Sequence, residues 1–271
     1  MPDSVKRVKI ARSFGSASNS YDISARLQRY SGKHLMPWLP KLKSQQDDFR
    51  VIDLGSGTGF FSDILASQYP TVIGVDLSKQ MLNFAAENRS NKLNWLAADA
   101  YKLPFQDNSI DLIYSNLMIQ WCDPLEPVLA EVMRILKPGG YFIFATLTDG
   151  TLFELKTAWQ AVDNDQHVID FKREQTLTNL CNFDGKDFSS LLIEHQTQDI
   201  VLEYDSVLHL AKELKGLGAN QVPNKRGKGL AGKDKWQKMT SSYQKFVESD
   251  GVYPATYCVY SGVVVKNARP L

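Results

Sequence analysis

Four polar residues recur at similar intervals along the first half of the chain: Asp53, Asp76, Asp99 and Asn116. Each stands at or just beyond the end of a short apolar run. Behind the first come three glycines at alternate positions, Gly55, Gly57 and Gly59, separated by Ser56 and Thr58. Glycines at such sites adopt backbone angles closed to other residues and let a ligand approach the main chain. A helix starting near Phe60 aims its free N–H groups at that ligand. Such a loop suits several nucleotide-like cofactors. Asp53 narrows the choice. A carboxylate two residues before the first glycine repels the pyrophosphate of a dinucleotide and attracts a cationic group.

The elements that must position these residues follow from hydrophobic periodicity. The apolar run from Val51 that ends in Asp53 reads as a strand that runs into the glycine turn and then a helix over about Phe61–Ser67, stopped at Tyr69-Pro70. Thr71–Val75 is the second strand and Ser78–Asn88 a helix, with Ser78 as its N-cap. Strands follow at Leu93–Ala97 and Ile110–Ser115, then a helix at Pro124–Leu136. A Pro138-Gly139-Gly140 turn leads into a fifth strand, Tyr141–Thr146. Alternating strands and helices joined by short turns predict an α/β fold, a doubly wound and mostly parallel sheet. Ligands in such sheets bind at the carboxyl ends of the strands, which is where the four polar residues fall.

S-adenosylmethionine answers the demands of this edge. It carries no phosphate, and its methionine end bears an ammonium and a sulfonium, both attracted by Asp53. Asp76 can accept both ribose hydroxyls, although an NAD ribose would suit it equally. Asp99 can accept from the exocyclic amine of adenine. Leu77, Met81 and Ala100 can enclose the ring. Asn116 and the run to Trp121 lie where a reactive methyl would sit, so Gln120 and Trp121 are candidates for shaping an acceptor pocket.

The chain has 271 residues, 43% of them hydrophobic, enough for one large domain. No segment approaches the ~18 apolar residues of a membrane span. Cys122, Cys181 and Cys258 are scattered, which suggests neither a disulfide framework nor a zinc site and fits a reducing cytoplasm. His34, His167, His195 and His209 show no metal-ligand spacing, so no metal is expected. The net charge of +1 is unevenly spread. Residues 212–245 carry nine Lys/Arg against two acids, a net +7 that leaves −6 for the remainder. This concentration points to an anionic partner or to a solvated lysine-rich loop.

Asp-Leu-Gly-Ser-Gly-Thr-Gly at 53–59, with Asp76, Asp99 and the Leu136–Gly140 turn, resembles the class I S-adenosylmethionine-dependent methyltransferases. A narrower resemblance runs over nearly the whole chain. Phe14-Gly15, Tyr21-Asp22, Leu27-Gln28, Ser115–Leu117, Gln120–Cys122, Gly150–Leu152 and Leu214–Asn220 are similar to the malonyl-acyl carrier protein O-methyltransferases, as is Tyr253–Tyr257. Ala255, where Leu is more usual, and the lysine-heavy basic loop are departures. The N-terminal similarity implies that residues 1–20 belong to the enzyme rather than to a targeting peptide.

The resemblance implies a seven-stranded sheet in a single domain, 1–271. Its parts would be an N-terminal helical lid (1–45), a cofactor core (50–146), a helical lid or insert (147–195) and C-terminal strands with the basic segment (196–271). The last two strands are expected at Ile200–Tyr204 and Thr256–Lys266, the final one antiparallel. It implies S-adenosylmethionine as cofactor and malonyl-acyl carrier protein as substrate, in early biotin synthesis. The basic segment would meet the acidic carrier, with no part for nucleic acid or membrane; the oligomeric state stays open. A malonyl carboxylate is ionised at neutral pH and is already a nucleophile, so no catalytic base is expected. Tyr21 is the expected lid residue over the donor, and Arg226 and Trp121 the acceptor-binding residues. Arginine's planar fork fixes a carboxylate's direction as lysine cannot. Two rival readings are a methyltransferase for a quinone precursor or other small acid, and a scaffold that binds without turnover.

Overall fold

The structure, a computed structural model, describes residues 3–42, 48–184, 188–219, 231–247 and 249–268. Its frame is one sheet whose middle strands are apolar on both faces. β1 (Arg50–Leu54), β2 (Thr71–Asp76), β3 (Asn94–Ala97), β4 (Ile110–Asn116) and β5 (Leu136–Leu147) run parallel. β6 (Phe183–Asp184), β7 (Phe188–Tyr204) and β8 (Tyr253–Ala268) extend the sheet, in the order β3-β2-β1-β4-β5-β8-β7-β6. β8 is antiparallel to both β5 and β7, as expected for the final strand.

Three boundaries differ from the sequence reading. Two-residue β6 makes the sheet eight-stranded rather than seven-stranded. β7 starts at Phe188, so the stretch to His195 assigned to a lid belongs to the sheet. Leu191 and Ile193 on it are half-exposed, and their polar neighbours blur the apolar run that marks a strand. The expected Pro138–Gly140 turn is an irregularity inside β5. The register moves from Ile110↔Leu136 to Leu112↔Tyr141, with Gly139 at φ 80°.

Alternation along the strands divides the core in two. Val51, Leu112, Tyr114 and Ile143 face one layer; Ile52, Ile113, Phe142 and Phe144 face the other. The first layer is covered by α3 (Arg26–Leu35), α4 (Phe60–Ala66), α7 (Phe153–Gln160), α9 (Val207–Gly216) and α10 (Ala231–Tyr243). The second is covered by α6 (Glu126–Ile135) and α8 (Glu174–Cys181). α5 (Lys79–Asn88) packs on β2 and β3 and begins as expected, with Ser78 Oγ accepting from Met81 N.

The N-terminal helices α1 (Asp3–Ser16), α2 (Ser18–Ser24) and α3 lie over the carboxyl edge of the sheet. α3 docks through Leu27, Ser31 and Leu35, spaced four apart on one face. Gly32 on that face admits the Phe61 ring, which would stand 2.2 Å from a Cβ placed there. Leu35 is fully buried, and truncation to Ala would cost about 2–5 kcal/mol and loosen the roof.

Candidate active site

β1 ends in a tight loop because Gly55 takes φ 78°, a left-handed angle that an L side chain rarely adopts. The turn lets Gly55 N and Ser56 N both donate to Val75 O, at 2.7 and 3.1 Å. The loop is thereby tied to β2, and Asp53, Gly57 and Asp76 converge. Asp76 Oδ2 accepts from Gly57 N at 2.9 Å and Oδ1 from Ser78 N at 2.7 Å. A carboxylate has about four lone-pair sites, so these two bonds leave room for two hydroxyls. Burial raises the Asp76 pKa, opposed by those backbone N–H groups.

Three cavities meet at this edge. A front cavity of about 840 Å³ is lined by Asp76, Leu77, Met81, Asp99, Ala100 and Tyr101, among others. A loop pocket of about 440 Å³ lies beneath it, lined by Asp53, Gly55, Ser56, Gly57, Gln28 and Arg29. A rear cavity of about 790 Å³ opens on the other side, lined by Gln120 and a largely apolar wall that includes Leu147, Leu155, Val168 and Phe171. Tyr21 lines all three. Phe14, Leu117 and Trp121 line both front and rear cavities. Phe14 meets Trp121 edge-to-face at 5.2 Å, so this shared wall is an aromatic partition.

Each cavity has its own electrostatics. In the loop pocket Asp53 is almost fully buried and accepts from Ser62 Oγ at 2.5 Å. Burial pushes its pKa up to about 7, against the Ser62 hydrogen bond and helped by nearby Asp76. Two polar atoms of the pocket's lining residues, Ser56 Oγ and Gln28 Oε1, are buried with no hydrogen-bond partner. The Arg29 guanidinium lies 4.9 Å from the Phe60 ring centroid in the same pocket. A cationic and an anionic group side by side, as in an amino-acid zwitterion, would satisfy this set. In the front cavity Asp99 Oδ1 accepts from Tyr101 N at 3.1 Å, and Arg7 Nε is 3.5 Å from Asp99 Oδ2. Arg7 also lies over the Tyr101 ring at 4.3 Å. Burial raises the Tyr21 pKa, reinforced by Asp76, Asp22 and Asp53, so its hydroxyl stays protonated.

Leu117 and Leu152 both line the rear cavity with positive φ, 52° and 55°. Non-glycine residues in this region carry strain that the surroundings must hold, often at ligand sites. Among the described residues the rear cavity has no lysine or arginine in its lining. Ala219, the last residue described before 220–230, lines it. Arg226 lies outside the described residues.

The remaining sequence candidates take definite places. Asn116 lines the front cavity and loop pocket, but its amide is committed to α3: Oδ1 accepts from Ser31 Oγ at 2.7 Å, and Nδ2 donates to Gln28 O at 2.8 Å. Gln120 Nε2 donates to Leu117 O at 2.6 Å, which braces the strained Leu117. Gly59 lines none of the three cavities. A Cβ there would lie 2.3 Å from Trp95, so this glycine serves helix–strand contact. Sequence reasoning missed Arg7, Arg29 and Tyr101. The inward spacing of Arg7, Ile10, Ala11 and Phe14 on α1 was a readable helical face.

Beside the rear cavity, which His167 lines, Asp163, Asp165 and His167 bring ligand atoms within 4.8 Å of one another, a grouping the histidine spacings did not suggest. Lys235 already pairs with its carboxylates, 2.6 Å from Asp163 and 3.9 Å from Asp165. No helix among the described residues is long and apolar enough to cross a membrane.

Comparison with known proteins agrees with the geometry. Residues 52–144 match the family described as Methyltransferase domain. The solved structure of Haemonchus contortus phosphoethanolamine N-methyltransferase 2 in complex with S-adenosyl-L-methionine superposes with a TM-score of 0.57 at 17% identity. The match covers 93% of this chain and 57% of that one, a likeness of fold. The biotin biosynthesis bifunctional protein BioHC of Cellvibrio japonicus is 38% identical over 97% of this chain, which spans 51% of that protein's length. The malonyl-[acyl-carrier protein] O-methyltransferase of Yersinia pestis is 34% identical over 266 residues, 98% of this chain and 94% of that protein. With the donor-shaped edge, the aromatic partition and this near-full-length similarity, the chain belongs to the malonyl-[acyl-carrier protein] O-methyltransferase family.

Proposed function

We propose that this chain methylates the free carboxylate of a malonyl thioester on an acyl carrier protein, using S-adenosylmethionine, as an early step of biotin synthesis. The carrying observation is the pair of cavities divided by Phe14, Tyr21, Leu117 and Trp121, one with the Asp76 and Asp99 carboxylates in its lining and one mostly apolar. Bound S-adenosylmethionine supplies an electrophilic methyl group on a sulfonium.

The residues at the edge suit that group. Asp76 would take the ribose hydroxyls, and Leu77, Met81, Ala100 and Tyr101 the adenine. Asp99 would accept from the adenine amine. Asp53, Gln28 and Ser56 would take the methionine ammonium, and Arg29 its carboxylate. The two orphaned oxygens support this assignment, because each gains a donor when an ammonium arrives. Gly55 and Gly57 let the ligand lie against the main chain, and Asn116 braces the roof above it.

In the rear cavity the acceptor needs position more than activation. A carboxylate is ionised at neutral pH, well above a carboxyl pKa near ~4. The partition excludes water and aligns the acceptor oxygen with the donor, which favours in-line transfer. Tyr21, Gln120 and Trp121 shape that passage. A carboxylate needs a cationic clamp there. Arg226 is our candidate, since the described lining supplies none and Ala219 brings the chain to the rim just before it. The basic segment 212–245 would meet the acidic carrier. We read the chain as one methyltransferase domain at work in the cytoplasm, a setting suited to its three free cysteines.

Incubation with S-adenosylmethionine and malonyl-carrier protein, read by mass spectrometry, tests the reading. Gain of one methyl on the malonyl group is expected. Transfer only to a quinone precursor or another small acid would replace the substrate. Donor binding with no transfer to any acceptor would reduce the chain to a scaffold.

A further inference from the structure

We infer that Arg89 is a positioning residue: through Asp22 it holds Tyr21 against the glycine loop. The catalytic part of this inference rests on the function proposed above; the part concerning cofactor retention does not.

Arg89 caps the C-terminus of α5, far in sequence from what it touches. Its Nε donates to Thr58 O at 2.9 Å, and its Nη2 pairs with Asp22 Oδ2. Thr58 Oγ1 closes the ring by donating to Asp22 Oδ1 at 2.5 Å. Guanidinium, carboxylate and loop residue thus form one clasp, linking α5, α2 and the Gly57–Gly59 turn. The pair is sheltered, with side chains 16% and 24% exposed, and Thr58 is buried. Charge-assisted bonds in such a setting are stronger than exposed ion pairs.

The clasp matters because α2 cannot aim its own side chains. It has seven residues, no buried residue and no side-chain cap at its N-terminus. Helices this short do not hold themselves together in water. Beside the clasp, Ser20 Oγ donates to Gly216 O at 2.9 Å, and the Phe14 ring lies 6.4 Å from that of Tyr21. Tyr21 is the neighbour of Asp22, and its ring lies 4.0 Å from where a Gly57 Cβ would stand. It is also the residue common to all three cavities. A shift of α2 therefore opens the loop pocket and misaligns the partition in a single movement. Apart from Arg89 at the end of α5, the members of the clasp lie in the loop and the roof, outside the sheet.

The test is a double-mutant cycle on full-length protein, read by the dissociation rate and affinity of S-adenosylhomocysteine. Arg89→Met and Asp22→Asn should each speed dissociation about tenfold, as for loss of a charge-assisted hydrogen bond. Arg89→Lys should recover part of it, since the charge survives without the fork. In a Tyr21→Ala background, Arg89→Met should add nothing, because the residue through which it acts is gone. With malonyl thioester, Arg89→Met should lower kcat and leave the acceptor KM in place. Unchanged dissociation in Asp22→Asn and Arg89→Lys, or fully additive effects with Tyr21→Ala, would overturn the inference. If Arg89→Met does not fold, the two milder variants decide alone. If the parent enzyme transfers nothing to malonyl thioesters, the proposed function fails, and the dissociation cycle still decides the clasp.

Discussion

Lys235 Nζ lies 2.6 Å from Asp163 Oδ2, so one of the cations in the basic segment is already engaged within the protein. The pair pins α10 to the turn after α7, where His167 stacks flat on Trp159 at 3.8 Å and its Nε2 lies 2.8 Å from Asp163 Oδ1. The hydrogen bond from Lys235 holds the Asp163 pKa down to about 2. A depressed carboxylate pKa contributes stability above the unfolded value near ~3.9 and loses it as pH falls through the folded value. Lys235→Ala should therefore lower the melting temperature at pH 6, and the difference from the parent should shrink between pH 4 and pH 2. Calorimetry across that window checks it; a pH-independent difference would detach the effect from Asp163.

This pairing also refines the expected carrier contact. Charge reversal confined to Lys228, Lys233 and Lys238 leaves the Asp163 link intact. Exposed cations contribute little singly, about 0.2–1 kcal/mol each, but their shared field is screened as the Debye length falls from ~10 Å at 0.1 M salt to ~3 Å at 1 M. Salt should lower kcat/KM for malonyl-carrier protein far more than for a neutral malonyl thioester, and the triple Glu variant should show the same loss at low salt. Equal salt sensitivity for both substrates would return the segment to a solvated loop.

Asp53 sets two pH dependences of opposite sign. With its pKa raised to about 7 by burial, it is half protonated near neutrality in the cofactor-free protein. A cation binds the carboxylate form, so S-adenosylhomocysteine affinity should fall as pH drops from 8 to 6, and Asp53→Asn should flatten that profile. The linked stability term runs the other way. A raised pKa favours the fold below the unfolded value of ~3.9 and loses that favour as pH rises through about 7. Apo Asp53→Asn should then melt higher than the parent at pH 8 while binding the ligand less tightly. Titration calorimetry and melting curves at three pH values test both signs.

Asp76→Ala removes the acceptor assigned to two hydroxyls and also leaves Gly57 N and Ser78 N without their partner. S-adenosylhomocysteine affinity should drop by on the order of 1–3 kcal/mol. An unchanged dissociation constant in a folded variant would remove the ribose assignment.

Arg226→Ala should lower transfer to malonyl thioester and leave S-adenosylhomocysteine affinity in place, since a contact with the acceptor alone enters acceptor kinetics. Arg226→Lys should recover only part of the rate. Normal turnover in Arg226→Ala would move the clamp to Lys225 or Lys228.

Asp53, Gly55, Asp76 and Asp99 were legible in the sequence because strand, turn and helix are local, and each local unit ends at the same edge. Arg7, Arg29 and Arg89 were not. Their meaning lies in contacts with Asp99, Phe60 and Asp22, which only the folded roof brings near. Asn116 shows an intermediate case. Its station at the end of β4 was readable, whereas its commitment to Ser31 and Gln28 required the position of α3. β7 was underestimated for a different reason, since exposed Leu191 and Ile193 on an outer strand carry little of the burial signal that marks β1 or β4.

β8 lies between β5 and β7, although it is made after both. During synthesis β1 to β5 can therefore assemble, with Asp53, Asp76 and Asp99 in place, while β7 has only two-residue β6 to join. Tyr257 of the rear cavity arrives only with β8. A nascent or truncated chain lacking residues beyond 252 would then carry the donor edge while its acceptor cavity still lacked the Tyr257 wall. Competence to bind and competence to transfer would be born at different moments.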